Sequence, residues 1–145
     1  QGNQGAAGLY GVDGTATPPV PFDGTASAFE AVGLDDGSVL VVGSESPVAW
    51  RFNPSTSSWV TSAPNGARRL PKLSALPDGR VLLTGGQTQS STEIYNPDHN
   101  SWTLASPLAA ARYQASSAVL ADGSVLLVGG SLGGAALATV ERFAP

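Results

Sequence analysis

The sequence contains no cysteine. Disulfides, thiol nucleophiles and cysteine-ligated zinc are therefore excluded. One histidine, His99, is the whole imidazole supply. A Ser-His-Asp triad would have to use it, and no Gly-x-Ser-x-Gly elbow accompanies it. It sits in Pro97-Asp98-His99-Asn100, a polar turn pattern, and reads as a solvated turn residue. Charged residues make up only 12% of the chain, and the net charge is -4. No block of Lys or Arg occurs, which argues against a nucleic-acid surface. No apolar run approaches the about 20 residues that span a bilayer, so no membrane insertion is expected. The glycine-rich Ser131-Leu132-Gly133-Gly134-Ala135 lacks the lysine of a phosphate loop and reads as a plain loop. The chain opens at Gln1 without a methionine or a signal-peptide pattern, which reads as a processed mature form or an expressed segment.

What the sequence has in quantity is turn-forming residues, with 18 Gly and 11 Pro in 145 positions. That much punctuation predicts an all-β protein. The central phrase is Pro77-Asp78-Gly79-Arg80-Val81-Leu82-Leu83-Thr84-Gly85-Gly86. It recurs as Ala121 to Gly130, and in worn form as Asp35 to Ser44. Asp-Gly predicts a hairpin turn with both central residues at positive φ. The aliphatic run after it predicts a strand buried on both faces. Asp36 and Asp78 lie 42 residues apart, Asp78 and Asp122 44 apart. Pro54 to Trp59 and Pro97 to Trp102 both span 5, and Arg68 and Arg112 each precede their aspartate by 10. A period of this size signals a repeat architecture. Four short strands per repeat and no helical pattern predict propeller blades.

These residues resemble the kelch-repeat β-propeller family, in particular its bacterial kelch and galactose-oxidase-like type. The double glycines Gly85-Gly86 and Gly129-Gly130, the aromatics Tyr95 and Trp102, and the Ala67-Arg68 and Ala111-Arg112 pairs carry the resemblance. It covers residues 26 to 145. It implies all-β kelch-type blades of four antiparallel strands, about three per chain, at approximately 26–62, 63–105 and 106–145. Departures are Gly43-Ser44 in place of two glycines and a third unit without a fourth strand or tryptophan. Residues 1–25 read as an extended segment. Because propellers close with four to eight blades, the ring is expected to be completed by oligomerisation. A homodimer would form a six-bladed ring, with Leu9-Tyr10-Gly11-Val12 supplying a missing strand.

The galactose-oxidase branch carries a copper-radical site of two tyrosines, two histidines and a cysteine. One histidine and no cysteine cannot build it, so no enzymatic activity, cofactor or metal is expected. The resemblance places the loop before each first strand at a mouth of the central channel. Arg68, Arg69 and Arg112 in that loop are candidate ligands for acidic groups, with Tyr113 and Trp50 as stacking surfaces. The expected function is a secreted, lectin-like binding module for a protein, peptide or glycan. The alternatives are a self-assembling structural protein joined by strand exchange, or a fragment of a larger kelch-propeller enzyme lacking its catalytic residues.

Overall fold

The structure is a computed structural model and describes residues 5–7, 20–24 and 26–145. Every regular element among the described residues is a strand. β1 (Gly5–Ala7) and β2 (Val20–Phe22) pair with each other as a small antiparallel sheet. Three larger sheets follow. The first orders β3 (Phe29–Gly33), β4 (Val39–Gly43), β5 (Ala49–Asn53) and β6 (Ser58–Ser62). The second repeats the plan with β7 (Lys72–Ala75), β8 (Val81–Thr84), β9 (Thr92–Asn96) and β10 (Ser101–Ala105). The third holds β11 (Ser116–Val119), β12 (Val125–Val128) and, after an insertion, β15 (Val140–Phe143). The insertion is itself a hairpin of β13 (Ser131–Leu132) and β14 (Ala135–Ala136). The glycine-rich stretch expected as a plain loop therefore turns at Gly133-Gly134 between two short strands.

Each recurring phrase makes the expected hairpin, but by a different turn. Only the glycines Gly37, Gly79 and Gly123 have positive φ, at 80°, 82° and 82°. Gly37 N donates to the Leu34 carbonyl at 2.9 Å, and Leu34 N donates to the Ser38 carbonyl at 2.8 Å. This is a three-residue loop with glycine in the left-handed position, not the two-residue turn predicted above. The aspartate explains the choice. Asp36 Oδ1 accepts from Ser38 N at 2.9 Å, Asp78 from Arg80 N at 3.1 Å and Asp122 from Ser124 N at 3.0 Å. Each side chain bonds the backbone two residues on, which holds the aspartate out of the left-handed region.

The first strands β3, β7 and β11 lie side by side, and β6 and β10 are outermost in their sheets. Alternation along every strand gives each sheet two faces. In the second sheet one face is buried on the first sheet and the other on the third. Leu34, Leu40, Val42 and Ala49 of the first sheet pack on Leu73, Val81, Leu83 and Tyr95 of the second. Leu76 and Leu82 of the second pack on Val125 and Phe143 of the third. Across the outer strand pair, Phe52 meets Trp59 and Tyr95 meets Trp102, each with ring centroids 4.9 Å apart. Such cross-strand aromatic pairs stabilise the pair beyond the area they bury. Leu9 to Val12 lies outside the described residues.

Candidate functional site

Of the predicted site residues, Arg68, Arg69, Arg112 and Tyr113 sit in the loops that precede β7 and β11 and Trp50 lies in β5, and the structure uses most of them internally. Arg68 is 2% exposed and crosses its own sheet. Its Nη1 donates to the carbonyls of Gly85 at 3.0 Å and Ser91 at 2.8 Å. Its Nη2 pairs with Glu93 Oε1 at 2.6 Å. The other oxygen, Glu93 Oε2, accepts from Asn65 N at 2.8 Å, three residues before the arginine. Arg112 repeats the latch in the third sheet. It donates to the carbonyls of Gly129 at 2.8 Å and Thr139 at 3.3 Å and pairs with Glu141. Glu141 Oε2 accepts from Ala109 N at 2.6 Å, again three residues earlier. Burial raises the Glu141 pKa, but the Ala109 amide and Arg112 outweigh it and carry the carboxyl below the usual range. Each arginine thus ties the incoming loop, the glycine exit and the third strand together.

The first sheet solves the same problem without an arginine–glutamate ion pair. Counting back 10 from Asp36 places Ala26 where the other repeats have arginine, and Trp50 stands where they have Glu93 and Glu141. Trp50 is 5% exposed, and its Nε1 donates to Asp23 Oδ1 at 2.9 Å. Asp23 occupies the position of Asn65 and Ala109. Trp50 is therefore core, not the exposed stacking surface expected above. Burial likewise withdraws Arg68 and Arg112 from any ligand role that needs a free guanidinium.

Arg69 and Tyr113 differ. Arg69 is half exposed, donates from Nη1 to Gln87 Oε1 at 2.8 Å, and lies 3.9 Å from Glu45. With Gln87, Thr88, Gln89 and Glu45 it lines a cleft of about 220 Å³ between the first two sheets. Tyr113 is half-buried and anchors the β13–β14 hairpin through paired backbone bonds with Ser131 at 2.9 and 3.1 Å. The five predicted residues therefore do not converge: only Arg68 and Arg69 line one cavity.

A second cavity, of about 160 Å³, opens where the first strands begin and includes Phe29, Ser44, Leu70, Gln114, Glu30 and Lys72. Lys72 and Glu30 form an ion pair across β3 and β7. Leu70 and Gln114 hold equal repeat positions and both have positive φ, 50° and 55°. Leu70 N donates to Ser44 Oγ at 3.2 Å, and Gln114 N to the Leu70 carbonyl at 3.3 Å. The sequence departure at Ser44 thus supplies a hydroxyl acceptor between sheets. The opposed charges of Glu30 and Lys72 at one repeat position were the available signal for this mouth. His99 is exposed in its turn, and among the described residues no group of three His, Cys, Asp or Glu could hold a metal ion.

No protein-family model matches the chain. In solved structures it is similar to a novel fungal alcohol oxidase with catalytic diversity among the AA5 family, in complex with copper. The superposition has a TM-score of 0.65 at 22% identity and covers 81% of this chain and 28% of that one. The fold is that of galactose-oxidase-like, kelch-type propeller blades. In sequence, the chain is 34% identical over 64 residues to galactose oxidase from Gibberella zeae, including the strain PH-1 protein. The match takes in 44% of this chain and spans about a tenth, 9%, of the oxidase. The reading as a non-enzymatic binding module is thereby corrected, and the alternative of a fragment of a larger kelch-propeller enzyme fits better. The first rested on missing copper ligands, whereas the similarity lies in the blade residues and points to an oxidase-related family.

Proposed function

We propose that residues 26–145 are three successive kelch blades of a larger galactose-oxidase-like enzyme, supplying framework to the propeller rather than its catalytic groups. The observation that carries this reading is the 34% identity to galactose oxidase in a stretch that covers only 9% of that protein. The residues here do not fit the copper site that the fold family implies. There is one histidine, it lies on an exposed turn, and there is no cysteine. Tyr95 is buried and donates to Asn100 Oδ1 at 2.7 Å, and Tyr113 is engaged at the β13–β14 hairpin. No chemical step is assigned to these residues. In this reading their contribution is mechanical: the two arginine latches and the Trp50–Asp23 bond fix the loops at one mouth of the channel. An extracellular location accompanies the proposal.

The test is copper titration of the 145-residue chain, followed by calorimetry and by hydrogen peroxide release from galactose and simple primary alcohols. The reading expects no stoichiometric copper and no peroxide. One tightly bound copper per chain with alcohol oxidation would overturn it.

A further inference from the structure

Asn65-Gly66 is the one Asn-Gly pair in the sequence. It lies on the link from the first blade to the second, with a described blade on either side. Both residues are exposed. Glycine after asparagine lets the backbone fold back on the side chain, because no Cβ blocks the approach. Gly66 has a φ of 99°, and a Cβ built on it would meet no atom within 4 Å. Its N–H donates to the Pro64 carbonyl at 2.8 Å, in a three-residue turn centred on Asn65. Asn65 N donates to Glu93 Oε2 at 2.8 Å, while its side-chain amide has no hydrogen-bond partner among the described residues.

The other described asparagines are built differently. Asn53 and Asn96 precede prolines, which carry no N–H to become a nucleophile. Their Oδ1 atoms accept from Ser55 N and Asp98 N, each at 2.9 Å. Asn100 precedes a serine, and its side chain is held at both ends. It accepts from Tyr95 Oη at 2.7 Å and donates to the Thr61 carbonyl at 2.9 Å. An Asp-Gly turn can close the same ring only after its carboxyl is protonated, since it must lose water. Hydrogen bonds from Ser38, Arg80 and Ser124 hold the pKa values of Asp36, Asp78 and Asp122 down, so these turns stay ionised at neutral pH.

We propose that Asn65 is a site of spontaneous deamidation whose product loosens the Arg68–Glu93 latch. Gly66 N, once it gives up its proton, attacks Asn65 Cγ. The new N–Cγ bond closes a cyclic imide, the Cγ–Nδ2 bond breaks, and the nitrogen leaves as ammonia. Water then opens the ring at either carbonyl, giving aspartate or isoaspartate. Water is consumed and ammonia released, with no enzyme and no oxidant. Either product adds a carboxylate to the residue whose amide donates to Glu93 Oε2. Isoaspartate also inserts a methylene into the main chain three residues before Arg68. In the first blade the same position carries Asp23, and there it faces a donor, Trp50 Nε1, at 2.9 Å. In the second blade the nearby group is itself a carboxylate, so like charges meet. The proposal does not depend on the oxidase reading, because both residues and their partners belong to this chain.

The test ages the intact 145-residue chain at mildly alkaline pH in water enriched in heavy oxygen, then cuts it with trypsin. Peptide 52–68 carries Asn53 and Asn65, and peptide 81–112 carries Asn96 and Asn100. Fragment-ion mass spectrometry should find solvent oxygen at residue 65, as both aspartate and isoaspartate. Asn100 should convert more than about tenfold more slowly, since two side-chain hydrogen bonds must break first. The converted chain, separated by ion exchange, should melt about 3 °C or more below the unconverted one. Asn65→Gln, whose longer side chain closes the ring poorly, should age without label at residue 65 and keep its Tm. The proposal is overturned if Asn65 keeps its amide over a period in which the urea-unfolded chain loses it. It is equally overturned if the converted and unconverted chains melt together.

Discussion

Removing one partner of the Arg68–Glu93 latch tests whether these loop residues hold the blade or wait for a ligand. Both side chains are only 1% exposed, so water does not screen the pair. Glu93→Ala leaves a buried guanidinium without its carboxylate, which costs about 3–5 kcal/mol. It also removes the acceptor of Asn65 N, so the incoming loop loosens. Arg68→Ala strands the Glu93 carboxylate and frees the Gly85 and Ser91 carbonyls, at a similar cost of about 3–5 kcal/mol. The double variant leaves space but no stray charge. Its cost should resemble that of either single variant, giving a coupling of about 3 kcal/mol. For a chain of this size about 3 °C of Tm accompanies each kcal/mol, so each single variant should melt about 10 °C or more below wild type. Urea and thermal denaturation followed by circular dichroism measure both. Single costs below about 1 kcal/mol, or strictly additive costs, would refute the reasoning and restore Arg68 as a residue available to ligands.

Three further outcomes follow from the same geometry. Gly85→Ala should destabilise by about 2–4 kcal/mol in urea denaturation, because its φ is 71° and a Cβ would collide with the Arg112 carbonyl of the next blade. Trp50→Phe removes the donor to Asp23 while keeping an aromatic in the core, and should cost about 1–2 kcal/mol in the same assay. Acid titration of stability should show a loss that begins near the ordinary carboxylate range of about 4 and deepens as pH falls. Hydrogen bonds from Ser38 hold the Asp36 pKa down, those from Arg80 hold Asp78, and those from Ser124 hold Asp122. Glu141 is lowered despite its burial. A group whose folded pKa is depressed contributes stability above its unfolded pKa and loses it as pH passes down through the folded value, so stability flat down to pH 2 would contradict these shifts.

The repeat was legible because its signals are local. Val39–Gly43, Val81–Thr84 and Val125–Val128 form strands at the bounds their aliphatic runs suggest. The turn type was not legible from Asp-Gly alone. It depends on a bond from each aspartate to the amide two residues on, which competes with the two-residue turn. The site was less legible for a different reason. An arginine in a loop looks free in sequence, and only the sheet register brings Arg68 to Glu93, 25 positions away. The equal repeat positions of Glu93, Glu141 and Trp50 were visible, but their partnership with Arg68, Arg112 and Asp23 is a product of strand pairing. The galactose-oxidase-like resemblance was legible in Gly85-Gly86, Tyr95 and Trp102, but the missing copper ligands turned the reading away from an enzyme, because a copper site depends on a handful of residues that the blade pattern does not include.

The most direct measurement is the intact mass of the native polypeptide, captured from its source with an antibody against residues 26–145 and weighed by mass spectrometry. If this chain is a sector of a galactose-oxidase-like enzyme, the captured polypeptide is several times heavier than 14.6 kDa, its peptides include further kelch repeats, and it carries copper. A native polypeptide of 14.6 kDa, with no repeats beyond these, would contradict the account.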